Sequence, residues 1–481
     1  MSTVRFGPEL ALLVAAGLVV LVDLAYPRRM VSLALGLLGV AAAAVWTLAL
    51  GFGGGRGSAF QGTLLVDNFS LFFAVLVLAV TGAVLLASWD SLRAMGGREA
   101  EYVALMLVAA TGALLLAGVN DLIAIFIALE LTSVPQYILA AFSRTNRSSE
   151  AGLKYLLYGA ISSAVLLYGM AFLYGATGTT SLPGIAHALS AHDGRTAAAV
   201  VGMVFVAAGF GFKMAIVPFQ MWVPDVYQGA PTPVSAYLSV GSKAAGFAVA
   251  LRVFLTALRV DGLATDWANM FAVLAVASMT IGNVGALWQR DIKRLLGYSS
   301  IAQAGNLLVG LAAATATRGD VLGASGVLFF VAAYAFTNLG AFIAVIALSH
   351  RLGSDEIDAY AGAWRRSPLL AVVLAFCLVS LTGIPPTAGF WAKLYIFNAA
   401  VRGGMVWLAV IGVLNSVISA AYYLGVVGVM FMRPPAEERR ISLSPVVGLP
   451  LIVAAVGTLA FGLVPGPLIA AAEHAAAVFA H

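Results

Sequence analysis

Charged residues are scarce in this sequence, and cysteine is almost absent. Only 10% of the 481 residues are Asp, Glu, Lys or Arg, against about 25% in a soluble globular domain. The single cysteine, Cys377, can form neither an intrachain disulfide nor a thiolate cluster for zinc or iron–sulfur. These scarcities exclude an ordinary soluble domain, a disulfide-bonded scaffold and a cysteine-ligated redox centre within the chain.

Apolar residues make up 62% of the chain. Runs of about 20 apolar residues recur from end to end, and each is long enough to cross a hydrocarbon core about 30 Å thick. The sequence therefore predicts an all-α integral membrane protein with about fourteen transmembrane helices. The predicted spans are 8–26, 31–50, 66–88, 101–118, 121–142, 152–175, 197–221, 232–257, 266–288, 294–315, 322–348, 368–400, 404–432 and 445–465.

The net charge of +5 comes from basic residues dispersed among short loops. They are not clustered on one face, so nucleic acid is not expected as a partner. They are more frequent in alternate loops, such as those with Arg28 and Arg29 or with Arg439 and Arg440. By the positive-inside rule, this bias predicts a multi-pass protein with both termini outside.

Two of the apolar runs contain helix breakers near a charged residue. Span 197–221 contains Pro218, and span 368–400 contains Pro385 and Pro386. Proline cannot donate a backbone hydrogen bond, so the carbonyls it frees need partners inside protein or along a wet cavity. We therefore expect two discontinuous helices.

Spans four to eight and spans nine to thirteen can be taken as two blocks of five. Each expected discontinuous helix is then the fourth member of its block. Paired interrupted helices are typical of transporters built from inverted repeats around a midplane ion site. The pattern predicts two inverted five-helix repeats. The predicted divisions are 1–100 for the N-terminal helices, 101–257 for the first repeat, 258–432 for the second and 433–481 for the C-terminal helix.

Four ionisable residues lie deep inside apolar runs, namely Glu130, Lys213, Lys243 and Lys393. A charge at mid-membrane is costly, so such residues usually face protein or water and often mark an ion path. A lysine in an apolar interior holds its proton less tightly than in water, and a nearby carboxylate strengthens the hold. We therefore expect Glu130 to modulate Lys213, Lys243 to act as the central relay and Lys393 to act as the terminal donor.

Other polar residues have more ordinary interpretations. Lys154 lies near the inner end of its span, and both a positive-inside anchor and a member of the relay remain open for it. Hydroxyl and amide groups at possible path positions could hold connecting water, namely Ser242, Ser299, Ser300, Gln303, Tyr334 and Asn338. Predicted helix caps or dipole partners are Asp67, Asp121 and Asp225. Predicted members of the interfacial aromatic belt are Trp222, Trp288 and Trp364.

These residues lie within segments that resemble subunit N of bacterial and plastid complex I, the proton-pumping NADH:quinone oxidoreductase. The most specific segment begins at Phe212 and reads FKMAIVPFQMWVPDVYQGAPTPVSAYLSVGSKAAGF. LIAIFIALELTSVPQYIL around Glu130 and GIPPTAGFWAKLYIF near Lys393 are similar too. The resemblance runs from about Asp67 to the last helix.

The resemblance implies a non-redox, proton-translocating subunit of that enzyme, in a bacterial cell (inner) membrane, with Glu130, Lys213, Lys243 and Lys393 in the relay. It implies no cofactor in this chain, since NADH, FMN, iron–sulfur clusters and quinone are held by partner subunits. The implied partners are the antiporter-like subunit M, small subunits such as K, and membrane lipid. Gln303 stands where many relatives have a histidine, so a relay there would need water.

Two other functions stay open because they use the same type of subunit. One is a multi-subunit cation/proton antiporter, which has no redox partner. The other is a ferredoxin- or hydrogenase-linked complex, which has a different electron donor.

Overall fold

The computed structural model describes residues 2–93, 95–191, 195–315, 321–435 and 443–480. Arg439 and Arg440, which contribute to the predicted charge bias, lie outside the described residues. Within the described part of the chain, 13 helices are long and apolar enough to cross a membrane. They are α1 (Gly7–Ala25), α2 (Arg29–Phe52), α3 (Asn68–Ala87), α4 (Glu99–Gly118), α5 (Leu122–Ala140), α6 (Asn146–Thr177), α7a (Ala197–Met214), α8 (Thr232–Thr256), α9 (Leu263–Leu287), α10 (Ile292–Ala313), α11 (Leu322–Leu352), α13 (Val406–Met432) and α14 (Pro445–Leu463).

The remaining predicted span, 368–400, is divided into two shorter helices. These are α12a (Pro368–Thr382) and α12b (Ala388–Arg402). The seventh span is divided in the same way, since α7a is followed after an irregular segment by α7b (Trp222–Gly229). Both predicted discontinuous helices are therefore confirmed, and the fourteen predicted spans all correspond to helices.

The centre of the fold consists of α8, α10 and α11, which are almost completely buried by the surrounding helices. Helix α8 is itself irregular, because a π-helical turn at Leu238–Ser242 separates its two α-helical parts. Such π turns often occur at functional positions in helices. Buried polar side chains cluster on these three central helices, among them Ser239, Lys243, Ser299, Ser300, Gln303, Asn306, Thr337 and Asn338.

The smaller elements lie between and after the long helices. Strands β1 (Gly57–Ala59) and β2 (Leu64–Val66) form an antiparallel hairpin between α2 and α3. A C-terminal helix, α15 (Gly466–Ala476), follows α14. The remaining short α-helices are Ser2–Arg5, Trp89–Leu92, Leu182–Ala191 and Ala363–Arg366.

Two of the three aspartates predicted as caps do cap helices. Asp67 precedes α3 and accepts a hydrogen bond from the Ser70 amide in a capping box. Asp121 accepts from the amides of Ile123 and Ala124 in the first turn of α5. Asp67 also forms a two-pronged ion pair with Arg252 of α8, at 2.6 and 2.9 Å. Arg252 is only 3% exposed, so this pair links the N-terminal helices firmly to the core.

The N-terminal ends of α5 and α10 share a local structure. Each begins after an aspartate cap, Asp121 and Asp291, and each pairs through its backbone with a distant loop. The amide of Leu122 donates to the carbonyl of Thr180 at 2.9 Å, and the amide of Ile292 donates to that of Asp355 at the same distance. Five membrane crossings leave the chain on the opposite side, so two consecutive five-helix units must have opposite orientations. The likeness of the two helix starts therefore supports the predicted inverted repeats. The residue boundaries of the predicted divisions stay predictions.

The helices that precede α5 and α10, namely α4 and α9, also make equivalent close contacts. A Cβ added to Gly112 of α4 would lie 2.4 Å from the amide nitrogen of Thr132, and one added to Gly282 of α9 would lie 2.5 Å from that of Ala302. The shifts from 112 to 282, from 132 to 302 and from 121 to 291 are identical, at 170 positions. A glycine lets the helix backbones approach closely at equivalent places in both pairs.

We predict that Gly282→Ala lowers the thermal unfolding midpoint of the purified protein, because its methyl group would collide with the backbone of α10. Overpacking of this kind costs about 1 to 3 kcal/mol. The matched control is Gly175→Ala within α6, where an added Cβ meets no atom within 4 Å. Equal midpoints for the two variants would contradict the close approach of α9 to α10.

Candidate functional site

Lys213 lies one residue before the end of α7a, where the helix stops because Ala215 adopts a left-handed conformation with φ 62°. Its side chain is 2% exposed. Its Nζ donates to Ser133 Oγ at 3.1 Å and to Gln136 Oε1 at 3.0 Å, both on α5. The ammonium group is therefore held by neutral dipoles from the neighbouring helix.

Gln136 joins several elements around Lys213. Besides the lysine, its Oε1 accepts hydrogen bonds from Ser242 Oγ at 3.0 Å and from Tyr155 OH at 3.1 Å. Sequence reasoning missed both Gln136 and Ser133. The available signal was their spacing, because Ser133 follows Glu130 by three residues and Gln136 follows Ser133 by three, which makes each pair neighbours on the helix surface.

Glu130 is half-buried near the surface formed by α5 and α6. Its carboxylate accepts a hydrogen bond from the Ser163 hydroxyl on α6. Among the described residues, Glu130 and Lys213 form no ion pair within 4 Å. The ammonium bonds to Ser133 and Gln136 instead, so any influence of Glu130 on Lys213 acts over more than 4 Å.

Lys243 directly follows the π turn of α8, and its side chain points toward α10. Its Nζ donates to both the carbonyl and the hydroxyl oxygen of Ser300. The Tyr334 hydroxyl donates to Ser300 Oγ at 3.2 Å, and the ammonium lies 5.7 Å from the Tyr334 ring centroid. The structure thus places the predicted central lysine among two of the predicted path residues, Ser300 and Tyr334.

Lys393 lies on α12b and reaches back across the helix break. Its Nζ donates to the carbonyl of Thr382, the last residue of α12a, at 2.8 Å. Gly383 is needed at the break, because its φ is 94° and an added Cβ would lie 2.9 Å from Lys393 Cδ. A cavity of about 10 Å³ lies beside Lys393 and is also lined by Gln303 and Tyr334, which is roughly the smallest space that holds one water molecule.

Gln303 of α10 lines the cavity beside Lys393. Its Nε2 donates to the carbonyl of Leu381 at 3.0 Å, and its Oε1 accepts from Asn306 at 3.1 Å. Asn306 Oδ1 and Asn338 Oδ1 are buried without a hydrogen-bond partner in the described structure. Because buried polar atoms are usually paired, these two oxygens are expected water sites, one beside Gln303 and the other beside Ser239.

A second buried polar cluster begins at Ser299, the neighbour of Ser300 in α10. Ser299 is hydrogen-bonded to Tyr423, and Tyr422 donates to Asn283 Oδ1 at 3.0 Å. Asn283 in turn donates to Asn415 Oδ1 at 3.1 Å. These buried residues of α9, α10 and α13 were not predicted, apart from Ser299.

Lys154 does not join the buried row. Its side chain is 38% exposed, and its Nζ pairs with Asp225 and Glu150 at 2.7 Å each. Asp225 was predicted as a helix cap or dipole partner. Met221 occupies the cap position, and Asp225 lies in the first turn of α7b, where a carboxylate is a dipole partner. Asp225 instead bridges Lys154 of α6 to Arg294 of α10.

The prediction of an interfacial belt fails for one of the three tryptophans. Trp222 is 2% exposed and its indole nitrogen donates to the carbonyl of Phe212 at 3.2 Å, which satisfies an end of α7a. Trp288 and Trp364 are 81% and 44% exposed, as residues of such a belt should be.

The described residues contain no group of three His, Cys, Asp or Glu side chains that could hold a metal ion.

Comparison with known proteins gives consistent matches. The family model described as NADH:quinone oxidoreductase/Mrp antiporter, TM matches residues 119–419. NADH-quinone oxidoreductase subunit N of Dehalococcoides mccartyi is 42% identical over 99% of both chains. A chain of respiratory complex I from Thermus thermophilus is 33% identical with a TM-score of 0.82, covering 97% of this chain and 99% of that one.

A chain of the Mrp complex from Dietzia has a TM-score of 0.86, covering 99% of this chain and 97% of that one, at 22% identity. At this identity, the likeness concerns the fold alone. The three matched chains each extend over nearly the whole of this chain, and the family model covers its middle part.

We predict that Asp225→Asn lowers the thermal unfolding midpoint, because it removes the carboxylate that bridges Lys154 and Arg294. A partly exposed network of this kind contributes about 1 kcal/mol. The matched control is Asp358→Asn, since Asp358 pairs with Arg433 but is 81% exposed. If both variants shifted the midpoint equally, the bridge between α6 and α10 would have no special stabilising role.

Proposed function

The chain belongs to the NADH:quinone oxidoreductase/Mrp antiporter membrane family and within it to the subunit N group, and from this premise we propose that it translocates protons within an NADH-quinone oxidoreductase. The observation that carries the proposal is the row of three buried lysines. In the described structure, Lys213, Lys243 and Lys393 hydrogen-bond only to neutral oxygens. A buried ammonium without a paired carboxylate gives up its proton comparatively readily.

Protons would pass along the row from Lys213 to Lys243 and then to Lys393, with Glu130 biasing the first step. The side chains of Gln136 and Gln303 cannot carry protons, so they would orient the lysines and the water between them. Hydroxyl groups can both donate and accept, and Ser300 and Tyr334 supply them next to Lys243. The water sites inferred at Asn306 and Asn338 would complete the path.

The energy for transport would come from outside this chain. We propose that NADH, FMN, iron–sulfur clusters and quinone belong to partner subunits and that this chain is a non-redox member of the enzyme. Quinone reduction there would change the electrostatic field at Glu130. A shift in that field changes the proton affinity of the nearest lysine, which is the coupling step.

The partial exposure of Glu130 supports a protein partner at the α5 and α6 surface. A mid-membrane carboxylate facing hydrocarbon is costly, so a neighbouring subunit would cover it. We propose small subunits such as K over Glu130 and the half of this surface that lies away from Arg144, and subunit M at the opposite end, in a bacterial cell membrane. Lys154, at the rim with Asp225, fits an anchoring role better than a place in the relay.

Arginine substitutions provide the sharpest prediction, because arginine keeps the positive charge but does not release a proton. Lys213→Arg and Lys243→Arg should each lower NADH-driven acidification of inverted membrane vesicles at least about tenfold. Lys213→Ala and Glu130→Ala should also lower it, while quinone reduction is followed in parallel. Arg402→Ala, at the exposed end of α12b, is the control and should pump normally.

Full pumping by the assembled Lys213→Arg and Lys243→Arg variants would remove both lysines from the relay.

Copurification of the chain with its partners distinguishes the proposed function from the two alternative functions. Isolation of the chain with sodium-transport subunits and without flavin or iron would favour the cation/proton antiporter, and dependence on ferredoxin would favour the ferredoxin-linked complex.

The proposed orientation can be tested by labelling with a membrane-impermeant maleimide, since Cys377 is buried. Ser58→Cys, in the exposed hairpin, should react in right-side-out vesicles. Asn146→Cys, at the exposed start of α6, should react only in inverted vesicles. The reverse pattern would place the termini inside.

A further inference from the structure

A groove on the outer surface of the helix bundle lies between α1, α4, α5 and α6. Its volume is about 920 Å³, at the upper end of the range for ligand pockets. Most of its wall is apolar, with Leu105 and Val108 on α4 and Val134 and Ile138 on α5. Charged side chains occur at one end only, where α4 and α6 begin.

The groove is about as long, measured along its helices, as one membrane leaflet is thick. From Arg98 at its polar end to Val108 on the same helix is ten residues, or about 15 Å at 1.5 Å per residue. The interval from Val134 to Arg144 along α5 and its following turn has the same number of residues. Because the hydrocarbon core is about 30 Å thick, the apolar wall matches one layer of lipid acyl chains.

The polar end is suited to a phosphate group. Arg98 is held in place because its guanidinium donates to the carbonyls of Met95 and Phe142, at 3.1 and 3.2 Å. Arg144 also lines the groove, is exposed and has no ion-pair partner in the described structure. Helices α4 and α6 both start here, and their positive dipole ends favour an anion.

One carboxylate shares this polar end and restricts the choice of headgroup. Glu101 lines the groove one helical turn from Arg98 and is exposed. It would repel a headgroup that carries only negative charge. It would attract the ammonium of a headgroup in which a primary amine follows the phosphodiester.

We propose that this groove binds a zwitterionic glycerophospholipid of the phosphatidylethanolamine type. The phosphodiester binds Arg98 and Arg144, the ammonium binds Glu101, and an acyl chain lies along Leu105, Val108 and Val134. The lipid thus packs against α5, the helix whose Ser133 and Gln136 hold Lys213. This binding does not depend on the proposed proton path.

The test uses native membranes that contain the full-length chain with its partners. Phosphatidylethanolamine and phosphatidylglycerol, each with a photoreactive group on an acyl chain, are crosslinked, and the labelled peptides are identified by mass spectrometry. The ethanolamine lipid should label the peptides with Leu105, Val108 and Val134. Arg144→Gln should lower that labelling about fivefold, the loss expected for one basic residue at a membrane surface.

Two further variants separate the headgroup contacts. Glu101→Gln should lower labelling by the ethanolamine lipid and leave or raise labelling by the glycerol lipid, because only the former offers an ammonium. Arg147→Gln is the matched control, since Arg147 is exposed nearby but does not line the groove. Equal labelling of wild type and Arg144→Gln, or crosslinks from the groove to another protein in place of lipid, would overturn the proposal.

Discussion

The structure depends on how three ammonium groups are accommodated in an apolar interior. Each lysine lies where a helix departs from regular hydrogen bonding. Lys213 lies near the end of α7a, Lys243 directly follows the π turn of α8, and Lys393 lies beside the break in α12. Irregular backbone frees carbonyl groups that a straight helix would use internally. Lys393 uses one of them, the carbonyl of Thr382.

The same requirement explains why the central helices are so polar. Helices α8, α10 and α11 are surrounded by other helices, so their hydroxyl and amide groups never meet lipid. There they can hold ammonium groups at little cost, because most of them find a hydrogen-bond partner; Asn306 Oδ1 and Asn338 Oδ1 are exceptions among the described residues. The outer helices stay apolar and isolate this polar interior from the membrane.

The two repeats share a scaffold but not a chemistry. The shift of 170 positions that relates Gly112 to Gly282 also brings Glu130 onto Ser300. The carboxylate of the first repeat is thus replaced in the second by the hydroxyl that holds Lys243. Packing geometry is preserved because it depends on small residues at helix contacts, whereas the polar groups differ along the path.

The sequence alone determined the membrane class, the number of helices, the two breaks and the four deep ionisable residues. These follow from composition and from proline, whose effects are local. Only the tertiary structure decided that Gln136 joins Lys213 to α6 and α8, that Lys154 lies at the rim and that Trp222 is buried. The reason is that transmembrane helices are apolar toward both lipid and protein. Their sequences therefore carry little indication of which faces meet.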